Sequence, residues 1–207
     1  MFTGSPNARC GPAASVRSAA PRLGEIAFIG DSLTEGWEAA GIEVWESRFA
    51  QRGAVNFGVG GDLTGDVLWR VEHGELDGLA LRLIVLLVGT NDLGSGLSPA
   101  ATFRGIAATV RALAARFPEA HVLLLGILPR GSGGPLSPMR RSVAAVNASL
   151  TCLDDGKRVH FLDIGGAFLE PGGAVRPEMF EADKVHLAAP GYRAWADAMG
   201  DAFNALL

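Results

Sequence analysis

Cysteine and lysine are nearly absent from this chain, and so is any long apolar run. Cys10 and Cys152 are the only two cysteines in 207 residues, which supports neither a disulfide framework nor a metal knuckle and suits a reducing compartment such as the cytoplasm. The two lysines, Lys157 and Lys184, form no basic run, and a net charge of −4 gives no footprint for nucleic acid. Nothing approaches the ~20 consecutive apolar residues that cross a bilayer, so no membrane span is expected. Residues 1–22 hold Arg9, Arg17 and Arg22, no acidic residue, and no continuous hydrophobic segment of the kind a secretory signal needs. They read as a disordered leader, with an organelle-type transit peptide as the alternative, and residues 23–207 read as one domain.

Several motifs are missing too. No Gly-x-Ser-x-Gly segment occurs, as an ordinary α/β-hydrolase would require. Gly58-Val59-Gly60-Gly61-Asp62-Leu63 has leucine where a dinucleotide-binding loop needs its third glycine, and no glycine-rich loop ends in Gly-Lys-Ser or Gly-Lys-Thr. His73, His121 and His160 are scattered without clustered carboxylates or cysteines, so they read as surface or packing residues and no metal or other cofactor is expected.

What is present is a regular alternation of elements. Ile26 to Ile29 is an apolar run stopped by Gly30-Asp31-Ser32; Ala54 to Phe57 is a short second strand; Leu83 to Val88 is apolar without alternation, the pattern of a central strand covered on both faces. His121 to Leu128 and Val159 to Leu162 complete five strands. Helices are expected within Trp37–Phe49, after a cap at Asp62 or Thr64, after Ser98-Pro99 and Ser137-Pro138, and at the C-terminus, where Tyr192, Trp195, Met199 and Phe203 share a face. Trp37, Trp45, Trp69 and Trp195 are expected to pack. The alternation implies an α/β fold of three layers, α/β/α, and right-handed crossovers favour a flavodoxin-like five-stranded parallel sheet.

In a parallel sheet, Ser32, Gly61 and Asn91 follow strands one, two and three and fall on the same edge. The long Gly165–Val185 loop can fold Asp183-Lys184-Val185-His186 back over that edge. Ser32 alone could be a helix N-cap, Asn91 a turn residue and Asp183 a solvated carboxylate. Together they make a nucleophile, a base, a carboxylate to orient it, and oxyanion donors in the Ser32 and Gly61 N–H groups and the Asn91 amide. Asp31 reads as a capping or loop-bracing group.

Gly30-Asp31-Ser32-Leu33, Gly61, Gly89-Thr90-Asn91-Asp92 and Asp183-x-x-His186 resemble, in order, the four blocks of the GDSL or SGNH hydrolases. Within that family, Asn56-Phe57-Gly58-Val59-Gly60-Gly61-Asp62, Val67-Leu68-Trp69-Arg70 and Leu128-Pro129-Arg130-Gly131 resemble the catalytic subunits of intracellular platelet-activating-factor acetylhydrolase. The resemblance implies the SGNH hydrolase fold, a Ser32–His186–Asp183 triad, an oxyanion hole of Ser32, Gly61 and Asn91, no metal, and removal of short acyl groups, commonly acetyl, from a small ester. It also implies a homodimer. Leu33 and Val185, flanking the catalytic positions, are assigned to the acyl pocket. The competing readings are a carbohydrate O-deacetylase, a general short-chain esterase, and a binding module that keeps the fold without hydrolysis.

Overall fold

Each strand alternates its side chains between two apolar layers, and the sheet is buried because both faces are covered. The computed structural model describes residues 24–131 and 133–207; the expected leader lies outside them. Five parallel strands, β1 (Ile26–Gly30), β2 (Ala54–Gly58), β3 (Leu83–Leu87), β4 (His121–Leu125) and β5 (Val159–Leu162), lie in the order β2-β1-β3-β4-β5. This is the expected flavodoxin-like arrangement. All residues of β1 and β3 are buried, as the unbroken apolar run of strand three required.

Among the described residues seven α-helices cover the sheet: α1 (Ser32–Glu35), α2 (Ile42–Arg48), α3 (Thr64–Glu72), α4 (Thr90–Gly94), α5 (Pro99–Arg116), α6 (Pro138–Leu150) and α7 (Ala189–Ala205). On one face Phe28, Val85 and Leu123 pack with Trp37, Trp45 and Phe49 and with Tyr192, Trp195, Met199 and Phe203 of α7. On the other, Ile29, Leu86 and Leu124 pack with Val67 and Val71 of α3, Val110 and Leu113 of α5, and Val146 of α6. Ser98 and Ser137 cap α5 and α6 by accepting from the Ala101 and Arg140 N–H groups, as the two Ser-Pro pairs predicted.

The helix expected within Trp37–Phe49 is α2, preceded by a 3-10 turn at Gly36–Glu38 with Gly41 between the two. Two local expectations change. Neither Asp62 nor Thr64 caps α3: the Thr64 N–H and hydroxyl both donate to Asp92, at 2.9 and 2.6 Å. Trp69 does not pack in the core; it is 59% exposed and stacks on His73 with 4.3 Å between ring centroids, because it occupies the face of α3 opposite Val67 and Val71.

Candidate active site

The strand order reverses between β1 and β3, the place where open α/β sheets gather their functional groups. Gly30 ends β1 where no other residue fits, since a Cβ there would lie 2.1 Å from the Leu87 carbonyl oxygen. The chain then enters α1. Asp31 is the N-cap, its Oδ1 accepting the Leu33 N–H at 3.0 Å, so the capping role is filled and the Ser32 hydroxyl is left for other work. Because Ser32 opens α1, its own N–H belongs to the first-turn groups that have no acceptor within the helix.

The Ser32 hydroxyl lies 2.9 Å from His186 Nε2, and His186 Nδ1 lies 2.6 Å from Asp183 Oδ2. An ionised carboxylate only accepts, so Nδ1 carries the proton and Nε2 of the neutral ring is the acceptor for the serine hydroxyl. The Asp-x-x-His spacing is a closed local turn. Asp183 Oδ1 accepts the Val185 and His186 N–H groups at 2.9 and 3.0 Å, and Lys184 turns the corner with φ of 56°. The hydrogen bond from His186 holds the Asp183 carboxyl down at about 2, with the two backbone N–H groups adding to it. The Asp183 and His186 side chains are about half exposed, so solvent and solutes reach them.

Asn91 sits in the first turn of α4, and its Nδ2 donates to the Asp62 carbonyl at 3.0 Å. That bond fixes the amide's orientation and leaves its second N–H available. Gly61, one residue before Asp62, is exposed with φ of +83° and open space where a Cβ would stand, a conformation that disfavours any side-chain-bearing residue. The structure thus brings Ser32, Gly61, Asn91, Asp183 and His186 to one edge. Leu33 differs from expectation: it is 2% exposed and packs in the core beneath α1, which leaves it almost no surface for a ligand. Val185 is half-buried beside the turn.

Two supports were not expected from sequence. Arg70 donates to Asp62, to Glu75, and to the carbonyls of Phe57 and Gly30 at 3.2 Å each, so one guanidinium ties the ends of β1 and β2 to the loop that positions Asn91. Asp92, fully buried, ties α4 to Thr64 of α3. Their only sequence signal was an arginine amid the apolar residues of α3 and the acid after Asn91. Among the described residues no group of three or more His, Cys, Asp or Glu side chains is arranged to hold a metal ion, and no helix is long and apolar enough to cross a membrane.

Burial pushes the Asp31 carboxyl up to about 7, with Asp62 and Asp92 adding repulsion; the Leu33 N–H and His186 act the other way. Its Oδ2 is buried with no partner among the described residues. A carboxyl raised in the folded state contributes stability below its unfolded value of 3.8 that is lost as pH climbs through about 7. Asp31→Asn keeps the cap oxygen and removes the charge. It should therefore gain stability relative to wild type as pH rises from about 5 to about 8, on the order of a few kcal/mol. Denaturant titrations across that range check this; a constant difference would contradict it.

A three-layer sheet carrying serine, imidazole and carboxylate at its switch point, with glycine and asparagine beside them, is the frame of an ester hydrolase. The model of the GDSL-like lipase/acylhydrolase family matches residues 28–194, and the chain belongs to that family, whose members are hydrolases acting on ester bonds. The platelet-activating factor acetylhydrolase IB subunit alpha2 of Rattus norvegicus is 38% identical over 170 residues, 81% of this chain and 71% of the relative. Among solved structures, a GDSL-like lipase from Bacteroides thetaiotaomicron superposes with a TM-score of 0.72 at 21% identity, covering 88% of each chain. A catalytic mutant of an acetylxylan esterase from Geobacillus stearothermophilus gives 0.66 at 20% identity, over 87% of this chain and 94% of that one.

Proposed function

We propose that the protein is a serine esterase that removes short acyl groups, acetyl foremost, from small esters through an acyl-enzyme. The observation that carries this reading is the unbroken chain from the Ser32 hydroxyl through both nitrogens of His186 to Asp183. His186 Nε2 takes the Ser32 proton as Oγ attacks the ester carbonyl, and the tetrahedral oxyanion is received by the Ser32 and Gly61 N–H groups and the free Asn91 N–H. His186 returns the proton to the departing alcohol. Water then attacks the acyl-enzyme with His186 again as base, releasing the acid and restoring Ser32. Asp183 keeps the proton on Nδ1 and stabilises the imidazolium; no metal or cofactor enters.

The preference for acetyl is supported by the acetylhydrolase relative. The fold of an acetylxylan esterase keeps a carbohydrate acetyl ester as the second substrate class. Hydrolysis of p-nitrophenyl acetate, butyrate and octanoate is the test: rates should fall with acyl length, and octanoate preference would remove the acetyl assignment while keeping the chemistry. Asn91→Ala should lower kcat on the acetate by about 10²–10³-fold with a smaller effect on KM; an unchanged kcat would remove Asn91 from the oxyanion hole.

A further inference from the structure

The segment Gly126–Gly131, leaving β4, takes no part in the chemistry above, yet it touches both halves of the site. Asn147 of α6 pins its start like a backbone partner: Oδ1 accepts the Ile127 N–H at 2.9 Å, and Nδ2 donates to the Ile127 carbonyl and to Asp163, at 3.0 Å each. From that anchor, Leu128 and Pro129 run buried to two consecutive residues facing opposite parts of the machinery. Arg130 Nη1 donates to the carbonyl and to the hydroxyl of Thr90, both at 2.9 Å, and Thr90 immediately precedes Asn91. Gly131 donates its N–H to the Lys184 carbonyl at 2.9 Å, in the middle of the Asp183–His186 turn. Lys184 is the residue held at positive φ, a conformation that a residue with a side chain keeps only where its surroundings enforce it.

We infer that Arg130 and Gly131 form a two-point brace that sets the distance between the Asn91 amide and the Asp183–His186 turn, making Arg130 a positioning residue for the reaction. The inference rests on the proposed esterase mechanism for its effect on rate, and on geometry alone for its effect on His186. No covalent element joins α4 to the 181–186 turn across the sheet edge. An amide that follows α4 and an imidazole that follows the turn would otherwise drift independently, and a misplacement of about 1 Å can cost on the order of 10²-fold in rate. Arg130 also lies near the carboxylates of Asp31 and Asp183, which favour its charge against the burial that opposes it.

Arg130→Met, Arg130→Lys and Thr90→Val carry the test, each checked for folding by thermal melting. The first readout needs no substrate: the low-field proton resonance of the His186 Nδ1–H···Asp183 bond, assigned by its loss in His186→Gln. It should broaden or vanish in Arg130→Met and be retained in Arg130→Lys. The second readout is hydrolysis of p-nitrophenyl acetate. Arg130→Met should lose about 10–10²-fold in kcat with KM changed less than about twofold; Arg130→Lys should recover most of that loss. Thr90→Val should lower kcat by less, since the Thr90 carbonyl still accepts from Arg130, and combining it with Arg130→Met should add little, because Arg130→Met already removes the hydroxyl bond. A wild-type resonance in folded Arg130→Met overturns the brace, as does a wild-type kcat. If Arg130→Met does not fold, Thr90→Val is read by the same two criteria. A wild-type protein without esterase activity would remove the proposed function while the resonance still decides the brace.

Discussion

Ser32→Ala is expected to lower kcat on p-nitrophenyl acetate by about 10⁴–10⁶-fold, the loss seen when the nucleophile of a serine–histidine–carboxylate unit is removed. The residue is the sole hydroxyl within hydrogen-bond reach of His186 Nε2 among the described residues. The loss should come without unfolding. Asp31, not Ser32, caps α1, so removing the Ser32 hydroxyl takes away no helix cap and the melting temperature should stay close to wild type. A large drop in stability would return Ser32 to a structural role. Retention of more than about a tenth of the activity would show that another group does the attacking.

Asp183→Asn is expected to cost about 10⁴-fold in kcat while leaving the turn intact. The amide oxygen can still accept the Val185 and His186 N–H groups that Oδ1 accepts now. The new amide N–H would face Nδ1, however, forcing the imidazole proton onto Nε2, where it cannot take the Ser32 proton. With its carboxyl held at about 2 by His186, Asp183 stays ionised throughout the range in which esterases are assayed. Asp183 should therefore contribute no ionisation to the pH profile of kcat in that range, and a step there that traces to Asp183 would contradict the assignment. The depressed carboxyl also adds stability that is present above its unfolded value of 3.8 and lost as pH falls toward about 2.

The parts of this site legible in the sequence are those encoded locally. An apolar run stopped by Gly30-Asp31-Ser32 declares both a strand and the polar turn at its end, and the same holds for Gly89-Thr90-Asn91. Asp183-x-x-His186 is legible because its carboxylate–imidazole bond closes within three residues. The parallel strand order comes from alternation and crossover handedness, which is why residues 154 apart can be placed together from sequence. Contacts that depend on the register of packed helices were not legible: Thr64 with Asp92, Arg70 with the Gly30 and Phe57 carbonyls, and Arg130 with Thr90. No spacing rule links those positions, since each pairing exists only after the sheet has brought distant chain ends to a common edge. Leu33 was misassigned for a related reason. Its place next to Ser32 suggested the pocket, but the turn of α1 rotates it inward against the α7 side of the core. Trp69 was misassigned because hydrophobicity alone does not say which side of α3 faces the sheet.

If Ser32 is a nucleophile activated by His186, a serine-directed phosphonate should react with it, and peptide mapping reads the result. One adduct per chain is expected, on the peptide containing Ser32, absent in Ser32→Ala and formed far more slowly in His186→Gln. An adduct on another residue, or a protein that hydrolyses p-nitrophenyl acetate yet remains unlabelled at Ser32, would contradict it.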